Sequence, residues 1–419
     1  MAEKTAYCQA AQTGMYERPT GLLGKYDNVR RFWEDWMTAA FMAPAITDLV
    51  GRTKRRGQGI RILDLGCGSG DGFELLTGVP STSAGIADVS FVALEPHTIG
   101  HYVGLDINED LLRQARECHG RNPRTHFVEA DRTNGLPPEI QDEEPFDLYF
   151  AGYGTLTHVH DAQASAIIAD ICGHAPDGAL FVGDWLGRYS YEWQDLWHHP
   201  VDREYFMDYR ISYIYEEDER DRVEVASFPL RLMTRDEIMA VIRGAEVRSG
   251  ASLKPLTFFD RSILVGRHTE TGDYNRHCPR IRNTVNSLLE HSRRTDLSCM
   301  LVDYVPRQGF DELNHFFENF FGSCNMLVKY TMQLLERYDP DSGGFDGHVA
   351  MPDACPLVVK DTMEIMENLI LGVGRLNWSD PRSNLIEPTL GYCLRKLEMD
   401  LQPGSGVGHG LIGVFEIRK

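Results

Sequence analysis

The run Ile62-Leu63-Asp64-Leu65-Gly66-Cys67-Gly68-Ser69-Gly70 constrains this chain more than any other stretch. Arg61–Leu65 reads as a short buried strand that runs directly into a glycine-rich turn, and Asp71–Leu76 starts a helix. Strand, glycine turn and helix in that order separate a ligand-binding loop from a chance glycine cluster. Glycines let a backbone approach a ligand closely, and a helix N-terminus offers unpaired N–H groups.

The alternation continues downstream. Strands are expected at 102–106, 126–130, 146–151 and 179–185, with helices at 108–119 and 161–175 between them. Further strands are expected at 223–232 and 262–267, around a helix capped by Thr234 and Glu237. Strands alternating with helices imply right-handed β-α-β units and a parallel sheet. Ahead of them, Val29, Phe32, Trp33, Trp36, Ala40 and Ala45 recur at helical spacing. Beyond His268 the pattern turns helical, over 279–292, 309–338, 357–373 and 384–400, before an apolar run at 411–417. The Phe310, Phe316, Phe317, Phe320 and Phe321 stripe reads as helix core. The expected organisation is an N-terminal segment with lid helices (1–50), a cofactor-binding α/β domain (51–268) and a mainly α-helical C-terminal domain (269–419).

Composition narrows the partners. A formal charge of −20 repels phosphate backbones, so no nucleic acid is expected. Nine cysteines are scattered without a C-x-x-C pair, which suits a reducing compartment. No apolar run approaches the roughly 20 residues that span a bilayer. A cytoplasmic protein with no membrane partner is the expectation.

The ligand follows from the acids around the turn. Asp106 ends the second strand, where a carboxylate can accept both hydroxyls of a ribose. Asp131 follows the third strand, placed to meet an adenine amino group. A nicotinamide dinucleotide uses the same architecture, but the spacing here is G-x-G-x-G opened by Asp64. That acid repels a pyrophosphate and suits a ligand bearing an ammonium.

On Ile62–Gly70, Tyr102–Ile107, Glu129-Ala130-Asp131 and Phe146–Tyr149, in that order, the chain resembles the class I S-adenosylmethionine-dependent methyltransferases over roughly residues 26–268. The resemblance implies a doubly wound, mostly parallel, Rossmann-like α/β fold and S-adenosylmethionine as cofactor. By it Gly66, Gly68 and Gly70 border the methionine part, Asp106 holds the ribose, Ile107 lies on the adenine face, and Asp131 with its neighbour Arg132 meets the adenine. Tyr26 and Arg30 are similar to lid residues near the methionine carboxylate, while Asp64 and Gly152 complete the cofactor set. Between Gly70 and Asp106 the chain is longer than the family's pattern, which leaves Glu95 as a competing ribose ligand. The segment after His268 falls outside the family core.

Methyl transfer needs alignment and, at an oxygen or nitrogen, a destination for a proton. Carboxyl ends of the strands are the place to look. His158 is the first choice for a general base, with Tyr153 and Asp184 as further catalytic candidates. A metal pair at His158 and His160 lacks an assignable third ligand, so no metal is expected. The aromatic run Tyr189–Tyr215 either walls a pocket or packs two domains together. The acceptor is expected to be a small-molecule metabolite, and the helical domain either covers its pocket or builds a homodimer interface. Other chemistries of the same cofactor, aminocarboxypropyl transfer or cyclisation, and a nicotinamide oxidoreductase are the alternatives.

Overall fold

The computed structural model describes residues 27–419 apart from 132–134, 202, 212–221, 267–273, 279–280, 340, 343, 348, 353–354 and 374–379. Tyr26 and Arg132 therefore lie outside the described residues.

Strands β1 (Ile60–Leu65), β2 (Ile99–Asp106), β3 (Thr125–Glu129), β4 (Leu148–Ala151) and β5 (Leu180–Gly187) form a parallel sheet in the order 3-2-1-4-5. An antiparallel pair, β6 (Phe206–Arg210) and β7 (Ser227–Met233), hangs from the end of β5. Beyond β5 the order continues with the last strand of the chain and then β8 (Ser252–Arg261). This is the doubly wound order, with one antiparallel strand slotted before the outermost parallel one.

Both faces of the sheet are covered, so its strands are apolar on both sides. On β1, Ile62 joins a core built with α1 (Trp36–Arg55), α2 (Asp71–Thr77) and α3 (Glu109–His119). Its neighbours Leu63 and Leu65 point to the other core, with α4 (Asp161–His174) and α5 (Arg235–Ser249). On α1, Met42, Ile46 and Leu49 are buried at helical spacing, each contributing about 1.5–3 kcal/mol. The expected capping box on α5 is present: Glu237 N–H donates to Thr234 Oγ1 at 3.2 Å, and Thr234 N–H to Glu237 Oε2 at 2.8 Å.

Helices α6 (Arg282–Leu288), α7 (Asp311–Arg337), α8 (Leu357–Val373) and α9 (Glu387–Leu401) form a separate core with Phe317, Phe320 and Phe321 at its centre. A two-residue hairpin, β9 (Tyr338–Asp339) with β10 (Gly344–Phe345), follows α7. The chain then returns: β11 (Gly410–Arg418) runs antiparallel between β5 and β8. The helical unit is thus an insertion within the sheet's connectivity, and the assignment of all of 269–419 to it is corrected. Leu411, Ile412, Val414, Phe415 and Ile417 are buried on two faces, which only an interior strand of the sheet satisfies.

The expected strand at 262–267 also moves, to Ser252–Arg261. Pro255 obscures it in the sequence, because proline removes a ladder donor. The sheet absorbs Pro255 opposite Phe415 at a register shift beside Val414. Ile263 and Leu264 have left the sheet, and their N–H groups donate to Glu398 on α9.

The turn Gly404–Gly408 wraps a carboxylate. Asp260 is fully buried and accepts from the N–H groups of Ser405, Gly406, Val407 and Gly408. Such a backbone nest requires left-handed residues, and Gly404 and Gly406 supply them at φ +62° and +105°.

Candidate active site

Gly66, Gly68 and Gly70 all hold positive φ (+73°, +51° and +91°), which is why the turn needs glycine. Gly66 and Cys67 donate to Leu105 O, at 2.7 and 2.9 Å, tying the turn to β2. A Cβ on Gly70 would strike His119, whereas at Gly68 it would meet only Leu111 Cδ1 at 4.0 Å. Gly68 therefore faces the open side of the loop, the cradle a ligand would occupy.

Asp106 stands where the second strand ends, and Gly68 N–H donates to its Oδ2 at 2.9 Å. Its Oδ1 accepts from Asn108 N–H at 2.9 Å, and the Asn108 side chain caps α3. One carboxylate thus joins the glycine turn to the turn after β2. Glu95 lies ahead of β2, at the opposite edge of the sheet, against His97 at 3.0 Å. Of the two acids, Asp106 is the one that stands beside the glycine turn. Ile107 is half-buried beside it, and Asp131 is exposed just past β3.

Asp64 is buried beneath the turn, accepting a 2.5 Å bond from the Tyr102 hydroxyl. Burial, and then the Asp64 charge, hold that hydroxyl well above the usual tyrosine range. A side chain at Gly72 would strike Asp64 Oδ2 at 2.1 Å, so this carboxylate lies directly against the first turn of α2. That turn carries Asp71 and Glu74 as well. Three carboxylates thus gather at this helix start, Asp64 bonded to Tyr102, Asp71 to Arg30 and Glu74 lying 3.7 Å from His119.

The leading helix closes over this end. A π-helical turn, Arg30–Asp35, precedes α1 and buries Arg30, Trp33 and Glu34. Arg30 donates to Asp71 at 2.9 Å, lies 3.7 Å from Asp35 and stacks over the Tyr153 ring at 4.9 Å. Burial works against the Arg30 charge, but Asp71 and Asp35 outweigh it and hold its pKa above the ordinary value. Burial raises the Asp35 carboxyl to about 6 despite Arg30. Tyr153 donates to Asp35 at 3.1 Å from a left-handed backbone (φ +54°), a strained conformation for a ring-bearing residue at the end of β4. Gly152, before it, is buried, and a side chain there would strike the Phe150 ring.

His158 ends a 3-10 turn after β4, its ring 5.6 Å from that of Phe228 on β7. Asp184 stands within β5 rather than after it, buried and bonded to Arg261 at 2.8 Å. His160 pairs with Glu204 at 2.7 Å on the surface. Among the described residues no cluster of three His, Cys, Asp or Glu is placed to hold a metal.

The aromatic run divides. Tyr191 and Trp197 pack against Tyr304, Phe310, Phe317 and Phe321 of the helical unit. Trp193 and Tyr209 form a second cluster with Phe228 and His409. Tyr213 and Tyr215 lie outside the described residues. Sequence reasoning missed a buried ionic junction. Arg261 reaches Glu34 at 3.7 Å, Arg282 reaches Glu34 at 3.6 Å and Asp27 at 2.5 Å, and Ser262 Oγ donates to Glu34 at 3.0 Å. These residues come from three distant stretches, so no local pattern announced them.

No protein-family model matches the chain, and no curated protein does. Among solved structures it is similar to an S-adenosylmethionine-dependent methyltransferase from Clostridium acetobutylicum, at 14% identity and TM-score 0.32 over 52% of this chain and 83% of that one. Magnesium protoporphyrin IX methyltransferase from Synechocystis, with bound S-adenosylhomocysteine, is similar at 12% identity and TM-score 0.33, over 61% and 89%. The CcbJ methyltransferase from Streptomyces caelestis is similar at 14% identity and TM-score 0.34, over 52% and 81%. The fold is defined by the strand order 3-2-1-4-5 with β11 antiparallel between β5 and β8.

Proposed function

We propose that this chain is a methyltransferase that takes its methyl group from S-adenosylmethionine and transfers it to an oxygen or nitrogen of a small-molecule acceptor. The observation that carries this reading is the acid-ringed start of α2 beside an open Gly68 and the Asp106 carboxylate. Carboxylates there repel a pyrophosphate but accept ribose hydroxyls and an ammonium. S-adenosylmethionine has both of those groups and no phosphate. When bound, it supplies an electrophilic methyl.

The residues of this chain do the rest. Asp106 accepts the ribose hydroxyls, Asp131 and Ile107 meet the adenine, and Gly66, Gly68 and Gly70 admit the methionine part. Arg30 turns toward the methionine carboxylate, held in place by Tyr153 and Asp35. His158 lines the acceptor side, and Asp184 acts through Arg261 by holding the sheet end rigid. The acidic charge argues against nucleic acid as acceptor. Among the described residues no helix is long and apolar enough to cross a membrane.

Tritium transfer from labelled S-adenosylmethionine to a metabolite pool tests the reading. Label in a product heavier by about 14 daltons is the expected result, whereas a gain of about 101 daltons would assign aminocarboxypropyl transfer instead. Tight NAD(P)H binding with no S-adenosylmethionine affinity would overturn the reading.

A further inference from the structure

The leading segment lies between two cores, and its side chains divide between them. Val29, Trp33 and Met37 are fully buried in the core of the helical unit, together with Phe317, Phe320 and Phe321. From Ala39 onward the same helix changes sides, and Met42, Ile46 and Leu49 join the core against the sheet. The switch falls directly after the π-helical turn Arg30–Asp35. Such turns are rare and concentrate at functional sites.

Hydrogen bonds follow the same division. Trp33 Nε1–H donates to Glu398 on α9 at 3.0 Å, and that carboxylate also accepts from the N–H groups of Ile263 and Leu264 at 2.9 and 3.1 Å. Arg395, one turn before Glu398, donates to the Phe32 carbonyl and lies over the Trp36 ring at 3.6 Å. Ahead of the turn, Val29 N–H donates to the Asn286 side chain at 2.8 Å, and Asn28 donates to Glu290 at 3.0 Å. N–H groups at a helix start have no partner within the helix, so Asn286 of α6 completes this one from outside. Arg30 is the exception: it reaches Asp71 on α2 and the Tyr153 ring after β4. Trp33 and Arg30 share one short turn of backbone, so the ring and the guanidinium move together. A buried charge adds little net stability. What Glu398 adds is a fixed relation of the leading turn and the segment after β8 to α9.

Resting on the methyltransferase reading, we propose that the helical unit is the holder of the cofactor lid, and that Glu398 is a positioning residue acting on the cofactor's amino-acid carboxylate through Trp33 and Arg30. The unit carries the lid as one piece. Its α6 grips the start, its α9 grips the middle, and Arg30 is the part presented to the cofactor. A guanidinium pairs with a carboxylate only in a narrow geometry, so a small displacement of the turn is felt in that pair. The nucleoside end of the ligand is held from the sheet, by Asp106 and its neighbours, and does not depend on this contact. The helical unit therefore favours ligands that keep the amino-acid end.

Trp33→Phe tests this, because it removes the Nε1–H donor and keeps a buried ring. Calorimetry on the folded variant compares S-adenosylhomocysteine, which has the amino-acid carboxylate, with methylthioadenosine, which lacks it. The variant is expected to weaken the first about tenfold, the scale of one misplaced charge-assisted hydrogen bond, and to leave the second unchanged. A loss of general stability would not separate the two ligands. In an Arg30→Met background the same substitution should have no further effect, since a residue acting through Arg30 adds nothing once Arg30 is gone. Arg395→Met repeats the comparison without altering the buried indole, and is expected to act in the same direction. Equal weakening of both ligands, unchanged binding of both, or full additivity with Arg30→Met would overturn the proposal. Failure of the wild-type protein to bind either ligand would instead overturn the methyltransferase reading itself.

Discussion

The glycine-turn end and the ionic junction are both built on buried carboxylates, yet they differ in how the chain encodes them. At the turn, Asp64, Gly66, Gly68 and Gly70 are close in sequence, and Asp106 arrives one β-α-β unit later. At the junction, Asp27 and Glu34 of the leading segment meet Asp184 of β5, Arg261 at the end of β8 and Arg282 of α6. The first is a local motif with an open side. The second closes three units onto one another, and its groups depend on each other for charge balance. A local motif survives the loss of one contact better than a junction does.

The largest effect is therefore expected at the junction. Arg261→Met leaves Asp184 and Glu34 with one cation fewer in a buried site. Removing one partner of such a pair costs about 3–5 kcal/mol, measurable as a fall in denaturant midpoint. A loss below about 1 kcal/mol, the range of exposed pairs, would show that the junction is solvated. Asp106→Ala comes next and should read out mainly in ligand affinity. It removes one or two charge-assisted hydrogen bonds to the ribose, about 1.5–3 kcal/mol each, and unchanged affinity would return the ribose role to another acid. Glu95→Gln, at the far edge of the sheet, is expected to leave affinity unchanged.

Smaller still is the contrast in pH response. Glu398 is fully buried, accepts from Trp33 Nε1 at 3.0 Å and from Ile263 and Leu264, and burial raises its carboxyl to about 7. A carboxyl whose pKa is higher folded than unfolded favours the native state while protonated. Its contribution is complete below about pH 4.3 and is lost as pH rises toward about 7. Asp35, raised to about 6, adds to the same slope. Glu398→Gln should flatten stability against pH over that window. An unchanged slope in chemical denaturation would place the titration elsewhere.

The contrast also explains what the sequence made legible. The five parallel strands, the glycine turn, Asp106 and the Thr234 cap were readable because each is specified by period, turn chemistry or spacing within a few residues. The last strand was visible as an apolar run, but its place between β5 and β8 is a long-range pairing that periodicity does not carry. Pro255 hid β8, since proline within a strand is confined to edge strands, strand starts and bulges. His158 could be chosen because histidine after a strand is a local signal. The Trp33–Glu398 pair, 365 residues apart in the chain, and the junction acids found their partners only in the folded molecule.

The most direct test of the central claim is calorimetric titration of the purified protein with S-adenosylmethionine, S-adenosylhomocysteine and NADH. Saturable binding of the first two, weakened in Asp106→Ala and preserved in Glu95→Gln, with no NADH binding, is the expected result. Binding of NADH alone by the folded protein would contradict it.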